Sequence, residues 1–241
     1  MRIAIISDIH GNWEAFEAVL RDVEAQGIGR ILCLGDVVGY GADPELVVDE
    51  IRRREIPSIL GNHELALLDP SFLSWFNPPT QQSLLITRRL ISETTMEYLA
   101  SLQTTTVWER ALLVHGAPPD SVTTYLFELG KGELRKLFTE MEQELCFVGH
   151  THQLEVIGWD GKDVTFYPLG QGEHTLRAGW KYIVNVGSVG QPRDGDNRAK
   201  YVIWEPDGGT LEVRFVPYDI ARAASKIIER GFPAFNAVRL W

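Results

Sequence analysis

The sequence predicts an α/β fold of two packed sheets with helices on their outer faces. Over the first 150 residues one pattern repeats: a short apolar run, a polar tip and then a stretch with helical spacing. After residue 152 the apolar runs follow one another more closely, separated by turn signals such as Asp160-Gly161-Lys162. The 241 residues contain no internal repeat, low-complexity stretch or convincing linker, so we expect a single domain over residues 1–241.

Five apolar runs in the first part of the chain predict strands of a sheet that is covered on both sides. Each run is short and is bounded by glycine or polar residues, which is typical of strands buried on both faces. The five predicted strands are Ile3–Ser7, Ile31–Leu34, Pro57–Leu60, Ala111–Val114 and Leu145–Val148.

Helices are predicted between these strands. The first has apolar residues at helical spacing, with Asn12 as a candidate N-cap and Gly27 as its stop. The second opens with proline at its first helical position. The predicted helices are Trp13–Glu24, a helix from Asp43-Pro44 to about Arg54, one within Thr80–Leu102 and one within Gly132–Glu144.

Strand patterning continues after residue 152 and predicts an antiparallel sheet, because two of the connections carry hairpin turn signals. A final amphipathic helix is predicted over Asp219–Arg230, with Gly231 behind it. The strands predicted here are Leu154–Trp159, Val164–Pro168, Tyr182–Val186, Tyr201–Glu205 and Leu211–Val216.

Composition and charge exclude several classes of function. The formal net charge of −10 argues against a general grip on DNA or RNA, since proteins with that function carry basic patches. No apolar run is long enough to predict a membrane span, and the first residues resemble a strand rather than a signal peptide. Cys33 and Cys146 lie in apolar runs, which favours buried packing over zinc binding or a redox pair and fits a reduced, cytoplasmic protein.

Metal-competent side chains follow all five of the early predicted strands. Ligands of open α/β sheets bind beyond the carboxyl ends of the strands, so these side chains should meet at one edge. Of the six histidines, only His174 lies outside a strand-tip motif, in a segment that predicts a polar loop. The residues at the strand tips are Asp8, His10, Asp36, Asn62, His63, His115, His150 and His152.

This mixture of side chains predicts a pair of divalent cations. Carboxylate, amide and imidazole ligands together suit Mn, Zn, Fe or Ni. Two cations about 3.5–4 Å apart need a bridging carboxylate, and Asp36 is the candidate because its strand lies between the other contributors. Taken alone, each motif has an ordinary alternative: Asp8 suits a capped turn, and His115 suits a satisfied core histidine. The five motifs together favour the metal site.

Five short motifs stand at the predicted strand tips: Asp8-Ile9-His10, Gly35-Asp36, Gly61-Asn62-His63-Glu64, Val114-His115-Gly116 and Gly149-His150-Thr151-His152. Together they resemble the motifs of the calcineurin-like metallophosphoesterases, and most of all those of compact bacterial and archaeal phosphodiesterases and phosphatases. The resemblance spans at least residues 1–152, and the later segment Asn185–Gly190 extends it over nearly the whole chain. It implies a four-layer α/β/β/α sandwich of two mixed sheets flanked by helices.

The resemblance also implies a role for each residue. The implied reaction is in-line attack of a metal-bridging hydroxide on a phosphodiester or phosphomonoester, with Asp36 and His63 as the catalytic residues. His63 would not be a ligand; it would protonate the leaving oxygen as the general acid. Asp36 would bridge two divalent cations, whose other ligands would be Asp8, His10 and His152 for the first, and Asn62, His115 and His150 for the second.

The sequence departs from the protein Ser/Thr phosphatase branch of that family. That branch follows Gly-Asp with an Asp that orients the catalytic His and an Arg that clamps phosphate, whereas Gly39 and Tyr40 stand in those places here. What orients His63 therefore stays open. Candidate substrate contacts are Tyr40, Asn12, which also suits a helix cap, and Arg193, which either replaces the missing clamp or faces solvent in a Gly/Pro-rich turn.

A segment rich in aromatic residues, Leu67–Pro79, follows the His63 motif directly. It is either an aromatic wall for a nucleobase or aryl group or a packed connection. The leading hypothesis for the protein is a phosphodiesterase or phosphatase acting on a small phosphate ester or nucleotide-like substrate. A nuclease of the same family is a second hypothesis, disfavoured by the lack of basic clusters. A non-catalytic interaction scaffold is a third, although such a protein is expected to lose metal ligands or the general acid.

Overall fold

Alternating residues of each central strand pack on opposite faces of its sheet. The computed structural model describes residues 1–241. In strand β1 (Ile3–Ile6), Ile3 and Ile5 belong to one buried cluster, and Ala4 and Ile6 belong to another. All four side chains are fully buried, as a continuous apolar run predicts.

Eleven strands form two mixed sheets. They are β1 (Ile3–Ile6), β2 (Ile31–Cys33), β3 (Thr105–Trp108), β4 (Ala111–Val114), β5 (Leu145–Val148), β6 (Leu154–Trp159), β7 (Val164–Pro168), β8 (Gly172–Thr175), β9 (Lys181–Val186), β10 (Ala199–Glu205) and β11 (Thr210–Val216). The first sheet has the order β2-β1-β10-β11-β8, in which only β1 and β2 run parallel. The second has the order β3-β4-β5-β9-β6-β7, in which β4, β5 and β9 run parallel.

Eight α-helices and two short 3₁₀ helices complete the fold. The 3₁₀ helices span Pro70–Trp75 and Leu126–Glu128. The α-helices are α1 (Trp13–Ala25), α2 (Pro44–Arg53), α3 (Asn62–Leu68), α4 (Pro78–Leu90), α5 (Glu93–Ala100), α6 (Lys131–Glu140), α7 (Ile220–Glu229) and α8 (Ala234–Val238). None of the helices combines the length and apolarity that crossing a bilayer requires.

Three buried clusters show that the layers follow the order α/β/β/α. The cluster between the sheets joins β1 and β5, for example through Ile5 and Phe147. A second cluster packs helices α1 to α5 on the outer face of the first sheet. A third packs Leu134 and Phe138 of α6 on the outer face of the second sheet. The predicted four-layer sandwich is therefore confirmed.

The pairing of the later strands differs from the prediction. The predicted antiparallel sheet is wrong: β6, β7 and β9 extend the second sheet, whereas β8, β10 and β11 extend the first. The early strands likewise do not form the one sheet that their apolar runs predict, because β1 and β2 lie in the first sheet and β4 and β5 in the second. The two hairpins, β6 with β7 and β10 with β11, are present as the turn signals predict. However, β10 also lies antiparallel to β1, with Ile3 opposite Trp204. Turn residues determine only local pairing, whereas the placement of a hairpin beside a distant strand depends on long-range packing.

Three local predictions are also corrected. Pro57–Leu60 forms a single bridge, between Cys33 and Ser58, rather than a strand. The helix predicted within residues 80–102 is two helices, because Ser92 caps a new one by accepting a hydrogen bond from the N–H of Thr95. His174 lies in β8 rather than in a loop.

The two cysteines are packing residues, as predicted. Cys33 and Cys146 are both buried, are not joined to each other, and belong to different core clusters. Burial raises the pKa of Cys33 to about 12, so its thiol stays protonated at neutral pH.

Candidate metal centre

Four strand ends and one helix start meet at a single edge of the two sheets. The strands are β1 and β2 in the first sheet and β4 and β5 in the second, and the helix is α3. All seven predicted ligands lie in or directly after these elements, and none exposes more than 6% of its surface. They are Asp8, His10, Asp36, Asn62, His115, His150 and His152.

Three of these side chains form a first group. The Nε2 atom of His152 lies 3.2 Å from Oδ1 of Asp8 and 3.1 Å from Nε2 of His10. The Nε2 atom of His10 lies 3.7 Å from the same carboxylate oxygen. One potential ligand atom from each residue thus faces a common point.

A second group lies on the other side of Asp36. The Nε2 atom of His115 is 3.0 Å from the amide oxygen of Asn62, and the rings of His115 and His150 are 5.1 Å apart. Nε2 of His150 donates to the carbonyl oxygen of Thr123 at 3.1 Å, which leaves Nδ1 as its free nitrogen. Potential ligand atoms of Asp36, His115 and His150 lie within 4.8 Å of one another.

Asp36 belongs to both groups. Its Oδ2 atom is 3.7 Å from Nε2 of His10 and 3.4 Å from Nε2 of His115. Its Oδ1 atom accepts a hydrogen bond from the backbone N–H of His63 at 2.9 Å. One carboxylate therefore lies between the two groups, which is the position that the sequence predicts for a bridge.

The hydrogen bonds of three histidine rings show that this cluster suits a cation. His10, His115 and His152 each direct Nδ1 at a backbone carbonyl, so Nδ1 carries a proton, and in the neutral form of each ring Nε2 carries a lone pair. The Nε2 lone pairs of His10 and His152 then face each other at 3.1 Å. Two acceptors this close repel unless a positive charge lies near both. The Nδ1 distances are 3.0, 2.8 and 2.6 Å, to the carbonyl oxygens of Val38, Leu34 and Gln191 respectively.

Strained backbone is concentrated at the same residues. A positive φ costs a residue other than glycine roughly 1–2 kcal/mol, and strain of this kind clusters at functional sites. Among the residues other than glycine, only Glu55 and Glu109 share a positive φ with the candidate ligands. The ligands concerned are Asp8, His10, Asp36, His150 and His152, with φ values of 55°, 52°, 51°, 68° and 61°.

Burial and mutual charge set the protonation of the cluster. Although burial opposes ionisation, neighbouring imidazoles hold the pKa of Asp8 and Asp36 far below their usual range. Burial lowers the pKa of His150 to about 3 and of His152 to about 4, so both rings are neutral near pH 7. Burial also acts on His115, but the Asp36 carboxylate outweighs it and raises the pKa of His115 to about 9. The two carboxylates and the neutral rings of His150 and His152 are suitable cation ligands, and His115 would release a proton on binding a cation.

Comparison with known proteins identifies the family. A family model described as the calcineurin-like phosphoesterase superfamily domain matches residues 1–209. The chain belongs to the calcineurin-like phosphoesterase superfamily. The resemblance predicted from the five motifs is confirmed.

Relatives that match this superfamily member over nearly the whole of both chains occur in bacteria and archaea. The chain is 36% identical over 244 residues to the uncharacterized protein MJ0912 of Methanocaldococcus jannaschii, covering 99% of this chain and 97% of that protein. A metallophosphoesterase structure from Sphaerobacter thermophilus is 35% identical with a TM-score of 0.85, covering 100% of this chain and 98% of that one. The hypothetical protein PH1004 from Pyrococcus horikoshii OT3 has the same fold, with 18% identity, a TM-score of 0.79 and coverage of 100% and 97%.

In this member of the superfamily, packing orients His63. The ring is 2% exposed, and its Nδ1 atom has no hydrogen-bond partner. Its centroid lies 4.6 Å from the ring of His10, 4.7 Å from that of Tyr40 and 5.1 Å from that of Phe76. Gly39 has a φ of +133°, and a Cβ at this position would overlap the His63 ring. The backbone at position 39 thus packs directly against the ring of His63.

The structure places two of the three predicted substrate contacts together. Tyr40 lies against the cluster, and the guanidinium carbon of Arg193 is 5.7 Å from the centre of the Tyr40 ring. Nε of Arg193 is buried without a partner. By contrast, Asn12 accepts from the N–H of Ala15 at 3.2 Å and donates to the carbonyl oxygen of Gly190 at 2.8 Å. Its polar atoms are occupied, so the structure favours its role as the N-cap of α1.

The aromatic segment after His63 is partly a wall and partly a packed connection. Phe76 meets the His63 ring edge-on, whereas Phe72 packs against the core cluster under α1 to α5. Trp75 is 66% exposed.

Glu64 was not among the predicted site residues, although it supports the site. Its buried carboxylate accepts hydrogen bonds from the N–H groups of Asp36, Gly61 and Val38, at 2.8, 2.9 and 3.1 Å. These bonds join the turn that carries Asp36 to the start of α3. A Glu three residues after the residue that precedes a helix is a capping-box signal, and this spacing is visible in the sequence.

The part of the chain beyond the family match also contacts the site. Asn236 of α8 donates to the carbonyl oxygen of Tyr40 at 3.1 Å and to Oγ of Ser83 at 2.9 Å. Thr87 of α4 donates to the carbonyl oxygen of Gly39 at 2.9 Å. Two helices therefore hold the loop that covers His63.

Proposed function

We propose that this protein hydrolyses phosphodiesters or phosphomonoesters with the help of two divalent cations, Mn, Zn, Fe or Ni. The observation that carries the proposal is the pair of Nε2 atoms of His10 and His152, which lie 3.1 Å apart beside buried carboxylates while the Nδ1 atoms of both rings face backbone carbonyls. A cluster that has many hydrogen-bond acceptors and few hydrogen-bond donors suits positive ions. Membership of the superfamily supports hydrolysis.

Each group of ligands would hold one cation, with Asp36 shared between them. When bound, the cations would make hydroxide available near neutral pH and offset negative charge on the phosphate. The backbone carbonyls that fix the histidine tautomers keep the lone pairs aimed at the cations. The first group would consist of Asp8, His10 and His152, and the second of Asn62, His115 and His150.

Arg193 would bind a phosphate oxygen. Its Nε atom is buried and has no partner, while Nη2 donates to Oε1 of Gln191 at 2.8 Å and thereby fixes the guanidinium. A held guanidinium with a free donor suits a phosphate oxygen. Arg193 would thus act as the phosphate clamp that Tyr40 cannot supply.

His63 would protonate the leaving oxygen. Burial lowers its pKa well below the usual value, so the ring is neutral in the free protein. An anionic phosphate beside the ring would favour the protonated form, because an opposite charge stabilises imidazolium. The Nδ1 atom of His63 has no hydrogen-bond partner, so no neighbouring group fixes the ring through that atom.

The His63→Ala variant should keep its metal and lose about 10²–10⁴-fold in kcat, the contribution typical of a general acid. The loss should be larger for a methyl or ethyl leaving group than for p-nitrophenolate, which leaves without a proton. Turnover of matched phosphodiesters measures this, with metal content from elemental analysis. His174→Ala, outside the cluster, is the control. Equal losses for good and poor leaving groups would contradict the role.

Removal of metal tests the proposal as a whole. Chelator-treated protein should not hydrolyse bis-p-nitrophenyl phosphate, and adding Mn²⁺, Mg²⁺, Zn²⁺ or Ni²⁺ in turn should restore activity with the preferred ion. The restoring ion should also stabilise the fold, by about 2.7 kcal/mol at a concentration one hundred times its Kd. Full activity in metal-free protein would overturn the proposal. Stabilisation without turnover of any phosphate ester would favour the scaffold hypothesis.

A further inference from the structure

Three parallel rings stack outward from the candidate metal centre. The ring of Tyr125 lies 3.9 Å from that of His150 at an angle of 18°. The ring of Phe127 lies 4.9 Å from that of Tyr125 at an angle of 20°. The inner ring is a candidate metal ligand, and the outer ring is 69% exposed. The stack therefore leads from the buried cluster to the surface.

The loop between β4 and α6 holds this stack in place. Thr123 accepts from Nε2 of His150 at 3.1 Å, and Tyr125 follows two residues later. Leu126 is 1% exposed and belongs to the core cluster under α6. Leu126 points inward, and the short 3₁₀ helix that contains both residues therefore places its neighbour Phe127 at the surface. The exposed ring of Phe127 thus presents a flat apolar face at the outer end of the stack, where another ring could pack in parallel.

Aromatic rings flank both groups of candidate ligands. Tyr125 stacks on His150 of the second group, whereas Tyr40 contacts His10 of the first group and lies 5.7 Å from the guanidinium carbon of Arg193. Because Asp36 lies between the two groups, a phosphate bound at the metal centre would have the aromatic stack on the side of His150 and Arg193 on the side of His10.

We propose that Tyr125 and Phe127 form a subsite for the nucleobase of a nucleotide substrate whose phosphate lies at the metal centre. The proposal rests on the phosphoesterase function proposed above and names its substrate class. A base has a flat π-face that extends a parallel stack of rings, whatever its hydrogen-bonding edge. An aliphatic or polyol phosphate has no such face. The subsite should therefore favour nucleotides as a class over sugar phosphates.

The test compares AMP with ribose 5-phosphate, which differ only in the base. Each is measured as a competitive inhibitor of bis-p-nitrophenyl phosphate hydrolysis, so neither needs to be a substrate. In the wild-type protein AMP should bind about 5- to 150-fold more tightly, the range that alanine substitution gives for base stacking. Phe127→Ala should bring this ratio close to one, and Phe127→Trp should keep it.

Two other aromatic residues provide controls. Phe166 of β7 is 41% exposed and lies outside the stack, so Phe166→Ala should keep the wild-type ratio. Trp75 is the exposed residue of the segment after His63, and Trp75→Ala should also keep it. A ratio near one in the wild-type protein would overturn the proposal, as would a ratio that Trp75→Ala removes and Phe127→Ala does not.

A thermal-shift titration of the Mn²⁺-loaded protein with the same two ligands separates the subsite from the reaction. If bis-p-nitrophenyl phosphate is not hydrolysed but AMP stabilises the protein at lower concentration than ribose 5-phosphate, and Phe127→Ala removes the difference, the subsite stands and the hydrolysis fails. If hydrolysis occurs but both ligands behave alike in the wild-type protein, the hydrolysis stands and the subsite fails.

Discussion

Replacing Asp36 by Asn should lower kcat/KM for bis-p-nitrophenyl phosphate by at least about 10³-fold and reduce metal content at both sites. Asp36 Oδ2 lies 3.7 Å from Nε2 of His10 and 3.4 Å from Nε2 of His115, and so faces both ligand groups. Removing the shared carboxylate would weaken the binding of both cations. Their stabilisation of the transition state is worth several kcal/mol, and each 1.36 kcal/mol changes the rate by a factor of ten.

The fold of this variant should survive, which makes the result interpretable. An Asn amide oxygen can still accept the hydrogen bond that Oδ1 of Asp36 accepts from the N–H of His63. The metal-free variant should therefore stay folded, although it should unfold at a lower temperature than the metal-free wild-type protein, because the amide no longer stabilises protonated His115. Asp207→Asn is the control, since that side chain is 87% exposed and should change neither activity nor metal content. A variant that keeps two metal equivalents and wild-type turnover would exclude the bridging role.

Much of this site could be predicted because its ligands follow local sequence signals. Asp8 and His115 come directly after short apolar runs, and the carboxyl ends of buried strands gather ligands by geometry alone. The rule needs only that the strands be parallel and neighbouring, which holds for β1 with β2 and for β4 with β5. The two pairs belong to different sheets rather than to the single sheet that the apolar runs predict, and the packing of the two sheets brings their carboxyl ends to one edge.

Other parts of the site leave no mark in the sequence. The carbonyl groups that fix the rings of His10 and His152 belong to Val38 and Gln191. Any residue type supplies a carbonyl, so such a contact depends on where the backbone runs. Tyr125 is 25 residues before His150, and only the fold of the loop between them makes the rings stack. The pairing of β10 with β1 also depends on where distant parts of the backbone run, so the sequence does not predict it.

A second large effect is expected when Glu64 is replaced. Its side chain is not assigned a contact to substrate, but its loss should unfold the site. Its carboxylate accepts from three buried N–H groups, those of Asp36, Gly61 and Val38. In Glu64→Ala these donors lose their partner, and each unsatisfied buried donor costs roughly 1–3 kcal/mol. We expect the free energy of unfolding to fall by at least about 3 kcal/mol, measured by urea denaturation of metal-free protein.

Glu133 provides a matched control for this variant, because it has the same relation to its own helix. It is the third residue of α6, follows a glycine in the capping position, and accepts from the N–H of Gly130 at 2.8 Å, but it is exposed. Glu133→Ala should cost only about 1 kcal/mol, as the loss of an exposed cap does. The Glu64→Gln variant separates the loss of hydrogen-bond acceptors from the creation of a cavity. Gln has the same volume as Glu, but its amide NH2 group replaces one acceptor oxygen by a donor that faces N–H groups. If Glu64→Gln were as stable as the wild-type protein, the cost would lie in packing rather than in the three hydrogen bonds that hold Asp36 in place.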